Sequence, residues 1–145
     1  MKRRIKALLM ALVMLLTVAA SGLGDVTIFK ADEELVIKLH YSRPDGNYEN
    51  WDVWFWEVGG EGVGHEFVEE NGEMVATKVV TPGVAEVGYI VRTTGWETKD
   101  VAEDQFLDVA KYISGTLHIY VESGVPNTEL VEDDDVVIGS KLLSA

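Results

Sequence analysis

The sequence contains no cysteine. That excludes disulfides, thiolate metal sites, a cysteine nucleophile and a lipid-modified cysteine behind a cleaved leader. Positive charge is also scarce, with 12 Lys and Arg against 25 Asp and Glu, a formal net charge of −13. Nucleic acid and anionic membranes need lysine and arginine to neutralise phosphate, so the balance argues against both as partners. A neutral or cationic partner suits the chain better. Catalytic signatures are missing too. No G-x-S-x-G stretch occurs, and His40, His65 and His118 are scattered, none with a second histidine at metal-ligand spacing. No long amphipathic helix fits the least regular stretch, 94–114. With 145 residues the chain has room for one ordinary domain whose core needs no covalent staples.

The first twenty residues differ in kind from the rest. MKRRIK brings four positive charges, ALLMALVMLLTVAA an apolar run, and Val18-Ala19-Ala20 the small residues ahead of Ser21-Gly22. This is the layout of a secretory signal peptide, and the run is shorter than the roughly 20 apolar residues of a membrane span. Residues 1–20 therefore read as a signal peptide and 21–34 as a leader. The mature part, eight basic residues against 25 acidic, carries −17 and is expected to be secreted, with no membrane partner after cleavage.

From Leu35 the chain alternates apolar and polar residues and is rich in β-branched and aromatic types, the mark of strands. LVIKLHY (35–41) stops at the turn chemistry of Pro44-Asp45-Gly46. WDVWFWEV (51–58) follows, and then a glycine-rich connection, GGEGVG, leads into HEFVEE. Asn71-Gly72 before EMVATKVV is the strongest short hairpin signal, because both residues tolerate positive φ. AEVGYIVRT (85–93) is a further strand. TGWETKDVAEDQFLDVAKYIS (94–114) is the least regular part, with two stretches that could form short helical turns. GTLHIYVE (115–122) is the final clear strand, with Leu117, Ile119 and Val121 on one face and Thr116, His118 and Tyr120 on the other. Short strands with turns between them predict an antiparallel, immunoglobulin-like β-sandwich over 35–124. Residues 125–145, with the run Glu132-Asp133-Asp134-Asp135, read as a solvated acidic linker and the start of a further module. The carboxylates are not interleaved with glycine or asparagine as in calcium loops.

Three of the four tryptophans crowd into WDVWFW (51–56). Successive strand residues point to opposite sides, so Trp51, Val53 and Phe55 share one face and Asp52, Trp54 and Trp56 the other. Burying Asp52 without a partner would cost several kcal/mol, so the Trp51 face should be the core. Trp54 and Trp56 then stand about 6.6 to 7 Å apart on the outer face as a short indole platform. Either that platform is exposed, in which case it marks a binding site, or a loop or second sheet covers it and all three rings are buried. Sugars, whose C–H faces stack on indole, are the partners compatible with the charge.

HYSRPDGNYENWDVWFW, VGYIVRTTGWETKDV and ISGTLHIYVESG resemble, in that order, carbohydrate-binding module family 41, the amino-terminal starch-binding module of bacterial pullulanases. The resemblance covers about Leu35 to Gly124, and Tyr-x-x-Trp-x-x-Trp-x-Trp with a later Trp-x-x-Lys-Asp is its specific part. It implies a β-sandwich that binds α-1,4-linked glucans (maltooligosaccharides, starch, glycogen, pullulan) and is covalently linked to a catalytic module. Carried over residue by residue, the sugar platform falls on Trp54 and Trp56, an inclined third ring on Trp96, and the polar contacts on Lys99 and Asp100. Asp100 would accept from vicinal hydroxyls and Lys99 would donate. The family's DRF-like stretch reads Asp104-Gln105-Phe106 here, without the arginine. Tyr48 and Trp51 read as fold residues, while Tyr89 and Tyr120 could face either way. The resemblance implies no catalytic residue, metal or cofactor. Two other classes stay open at this stage: a small glycosidase using two carboxylates, since 25 acidic residues always offer some workable pair, and a protein-adhesion domain with the tryptophans as its hot spot.

Overall fold

The computed structural model describes residues 34–139. The signal peptide, the leader up to Glu33 and the last six residues lie outside them. The described residues form ten strands in two sheets packed face to face, an all-β sandwich without helices. In chain order the strands are β1 (Leu35–Ser42), β2 (Trp51–Glu57), β3 (Gly62–Glu66), β4 (Val68–Glu70), β5 (Glu73–Val80), β6 (Glu86–Thr93), β7 (Gln105–Asp108), β8 (Tyr112–Glu122), β9 (Val131–Glu132) and β10 (Val137–Ile138). One sheet runs β10-β8-β1-β5-β4, with β9 also on β8; the other runs β3-β2-β6-β7. All pairings are antiparallel except β1 with β8, which lie parallel from Leu35↔Gly115 to Ser42↔Glu122.

Alternation decides which residues meet between the sheets. Ile37 and Leu39 of β1, Val53 and Phe55 of β2, Val87 and Tyr89 of β6, Leu107 of β7, and Leu117 and Ile119 of β8 are all buried in one core. Trp51 packs against the same core from its margin, with the Arg43 guanidinium 4.3 Å from its ring centroid. Asn71 (φ 52°) and Gly72 (φ 83°) make the β4–β5 turn with both residues left-handed, as the Asn-Gly signal predicts. Gly46 N–H closes the Pro-Asp-Gly turn onto the Arg43 carbonyl at 3.0 Å.

Three segments differ from the expectation. HEFVEE is not one strand: the chain leaves the four-stranded sheet after Glu66 and joins the other at Val68. Phe67 makes that corner by stacking on Tyr41, centroids 5.2 Å apart at 13°. The stretch 94–114 forms no helical turn; QFLD becomes edge strand β7, with Leu107 inward and Phe106 outward. The acidic stretch expected to be a free linker packs along β8 as far as Gly139, because its carboxylates find donors there. Asp135 accepts from Thr116 N–H (3.0 Å) and Oγ1 (3.3 Å), and Glu132 accepts from Tyr112 Oη at 2.8 Å. Burial, with Glu132 beside it, pushes the Tyr112 phenol up to about 12.

The outer face of the larger sheet is polar. Glu73, His40, His118 and Asp133 form a chain, with contacts of 2.8 Å, 2.8 Å and 3.0 Å. Tyr120 stacks on His40 at 4.4 Å and 19°.

Candidate functional site

β2 crosses the middle of the four-stranded sheet, paired with β3 on one side and β6 on the other. Its outward residues are Asp52, Trp54 and Trp56, as alternation requires, while Val53 and Phe55 are almost wholly inside. Asp52 nevertheless is only 5 % exposed. Its cross-strand neighbour Arg92, 6 % exposed, binds both carboxylate oxygens, Nε to Oδ1 at 2.8 Å and Nη2 to Oδ2 at 3.1 Å. The fork geometry satisfies the buried charge that an unpaired aspartate could not tolerate.

The glycine-rich connection is part of this design. Its second half is strand β3, and a Cβ at Gly64 would fall 2.7 Å from Arg92 Nη2 and 2.8 Å from Asp52 Oδ2. A Cβ at Gly62 would land on Nε1 and Cε2 of Trp54. One at Gly88, directly across from Trp56 on β6, would land on the Trp56 benzo ring. The two indoles lie down against the sheet because glycine leaves room for them, and each is half-buried with no covering strand or loop layer among the described residues. The tryptophan spacing in the sequence is thus matched by a glycine spacing on the neighbouring strands.

Trp96 comes from the turn after β6. Its φ of 64° is a left-handed value that costs a tryptophan of order 1 kcal/mol or more. The turn holds it there: Trp96 N–H donates to the Thr93 carbonyl (2.8 Å), and Thr93 and Thr98 bond each other through backbone and Oγ1. The ring is 46 % exposed and stands 5.4 Å from Trp54 at 68°. The Arg92 guanidinium lies 4.7 Å from the Trp54 centroid and 4.4 Å from that of Trp96, bracing both rings. At the other end Phe106 of β7, 43 % exposed, meets Trp56 edge-on at 5.7 Å and 87°. The result is an aromatic face of two indoles seated on glycines, with Trp96 inclined to one and Phe106 to the other.

Of the five residues singled out in the sequence, four belong to this face or its rim. Trp54 and Trp56 form its floor, and Trp96 its inclined ring. Lys99 is paired backbone-to-backbone with Arg92 and sets its ammonium 3.6 Å from Asp104 Oδ1, both side chains partly exposed. Asp100 points the other way. Its side chain is 5 % exposed, and its oxygens accept from Tyr41 Oη, Ser123 Oγ and Gly124 N–H, each at 2.8 Å. Its carboxylate ties the loop to β1 and the end of β8, and the acceptor next to Lys99 is Asp104. Burial, with Asp100 as partner, pushes the Tyr41 phenol up to about 12. Two members were missed in the sequence. Phe106 was discoverable, since QFLD alternates and leaves phenylalanine on the outward parity; Arg92 required knowing the β2–β6 register. Gln105, in the place of the family's arginine, turns inward and donates from Nε2 to the Glu103 carbonyl at 3.1 Å. Among the described residues no cluster of three or more His, Asp or Glu side chains could hold a metal ion.

The model of the bacterial pullanase-associated domain matches residues 35–130, two thirds of the chain. The chain belongs to that family. Among solved structures, this pullanase-associated domain is similar to two described as α-glucan recognition by family 41 carbohydrate-binding modules from streptococcal virulence factors and α-glucan binding by a streptococcal virulence factor. They are 14 % and 15 % identical, with TM-scores of 0.46 and 0.47; each alignment covers 68 % of this chain, and 47 % and 46 % of theirs. A third is a product complex of a multi-modular glycogen-degrading pneumococcal virulence factor, 14 % identical with a TM-score of 0.47, where the alignment covers 68 % of this chain and 10 % of the other. The chain thus aligns with less than half the length of each.

Proposed function

We propose that this domain is a secreted, non-catalytic module that binds α-1,4-linked glucans and holds an appended pullulanase-type enzyme on starch, glycogen or pullulan. The observation that carries the reading is the indole pair seated on glycines, with a third ring set at 68°. Flat indoles take the apolar faces of successive pyranoses, and an inclined ring follows a chain that curves. Trp54, Trp56 and Trp96 are the stacking residues. Lys99 and Asp104 at the rim supply a donor and an acceptor for hydroxyls. Tethering raises the local substrate concentration for the linked enzyme without any new chemistry. The carboxylate beneath the rings, Asp52, is buried and held at both oxygens by Arg92, which fits a binder rather than a hydrolase.

Calorimetric titration with maltose through maltoheptaose, with cellotetraose as control, tests this. Affinity is expected to rise to about the tetraose as each ring finds a partner and then level off. Equal binding of cellotetraose and maltotetraose would defeat the α-glucan assignment. Reducing-end release from maltoheptaose or pullulan, abolished by one carboxylate substitution, would defeat the non-catalytic one.

A further inference from the structure

A second concave site lies on the other sheet, away from the tryptophans. The ends of β1 and β8, the β4–β5 hairpin and the loop after β8 enclose a groove of about 770 Å³, within the range of small-molecule sites. Glu69 and Glu73 enter it from the hairpin and Glu122 from the end of β8, and no lysine or arginine lines it. Behind the lining residue Tyr41, the Arg43 guanidinium donates to its Oη at 2.9 Å and is itself matched by Asp45 and Asp100. Glu69 and Glu122 make no side-chain hydrogen bond or ion pair among the described residues, so their charge is unmatched. Beside them stand the Tyr120 ring, 47 % exposed and braced on one face by His40, and the apolar wall of Val125 and Pro126.

We infer that this groove binds an organic cation: an ammonium or guanidinium carried on a short apolar stem. Such a group has donors and no acceptor, the complement of a site whose charged side chains are acceptors. The free face of Tyr120 attracts a cation, and the stem lies along Val125 and Pro126. The chain's net charge of −13 adds a field of the same sign. A free diamine and a lysine or arginine side chain of a peptide offer the same chemistry. The site is independent of the α-glucan assignment, since it shares no residue with the aromatic face.

The test is a heteronuclear NMR titration of the full chain with agmatine, and in parallel with an end-capped Arg-Gly-Arg peptide. Saturable shifts are expected for amides of residues 69–74 and 120–125, with affinity falling several-fold on going from low to about 0.3 M salt. Glu73→Gln with Glu122→Gln should abolish the response while leaving the maltotetraose shifts of the tryptophan indoles intact. A tighter response to the peptide assigns a peptide side chain, and an equal response assigns the free amine. Absence of saturable shifts with both probes, or the same shifts with maltose, would overturn the proposal.

Discussion

Across the four-stranded sheet the solvent side carries Trp54, Trp56 and Phe106, while across the larger sheet the equivalent side carries Lys38, His40, Thr116 and His118. Both surfaces are ordered, by opposite means. On the polar side, order comes from hydrogen bonds chained through side chains to Glu70, Glu73, Asp133 and Asp135. On the aromatic side it comes from removing atoms: glycines at 62, 64 and 88 let rings and an ion pair settle onto the backbone. A polar network leaves few groups free for a ligand. Rings held from beneath keep their upper faces available. The larger exposed apolar surface is therefore also the better prepared one for binding.

The largest expected effect concerns the charge beneath the rings. Asp52→Ala leaves the Arg92 guanidinium buried without its partner and should destabilise the domain by about 3–5 kcal/mol in chemical denaturation. His118→Ala, on the polar side, should cost about 1 kcal/mol. Equal costs would erase the contrast between the faces. Next, Trp54→Ala should weaken maltotetraose binding by at least about 2 kcal/mol, roughly 30-fold, in titration calorimetry. Phe55→Ala, one residue away on the inner face, should act on stability instead, by about 3–5 kcal/mol. If Trp54→Ala unfolds the domain and Phe55→Ala does not, the assignment of faces is wrong. Smaller again, Gly88→Val should displace the Trp56 ring and reduce glucan affinity about tenfold, about 1.4 kcal/mol, with the fold intact. Unchanged affinity would mean the glycine seat is irrelevant to binding.

The smallest effect belongs to the seam between the sheets. His65 Nδ1 bonds the Thr77 carbonyl at 3.0 Å, yet burial, with Lys78 nearby, holds the imidazole below its ordinary 6.5. In the unfolded chain His65 takes up its proton near 6.5, and in the fold only at lower pH. Stability is therefore full above 6.5 and is lost as pH falls below it, until the folded group titrates. His65→Gln should flatten that part of the pH–stability profile, as followed by thermal melting. An unaltered profile would assign the acid sensitivity to other groups.

What the sequence disclosed follows from the range of each interaction. The Asn71-Gly72 hairpin, the inward set Leu117, Ile119 and Val121, and the split of WDVWFW into two faces depend on residues a few positions apart, and all are legible. The Asp52–Arg92 pair links residues 40 apart, and nothing local in either strand indicates the partner. The inward turn of Asp100 depends on Tyr41, Ser123 and Gly124, far off in the chain, so alternation could not foresee it. The role of GEGVG was hidden for a related reason: a glycine's missing side chain has meaning only once the neighbour that fills its place is known. The attachment of 131–138 to β8 escaped because two-residue strands have no periodicity to detect.

The parallel pairing of β1 with β8 has a consequence for load. The described chain enters beside Gly115, where Glu34 accepts from its N–H, and leaves at Gly139, which bonds the carbonyl of Lys111 at the same end of β8. Tension between those two points first reaches the short antiparallel pieces β10 and β9, which open one bond at a time like a zip. Beyond them it acts on β1 and β8 along their length, and eight residue pairs resist in shear together.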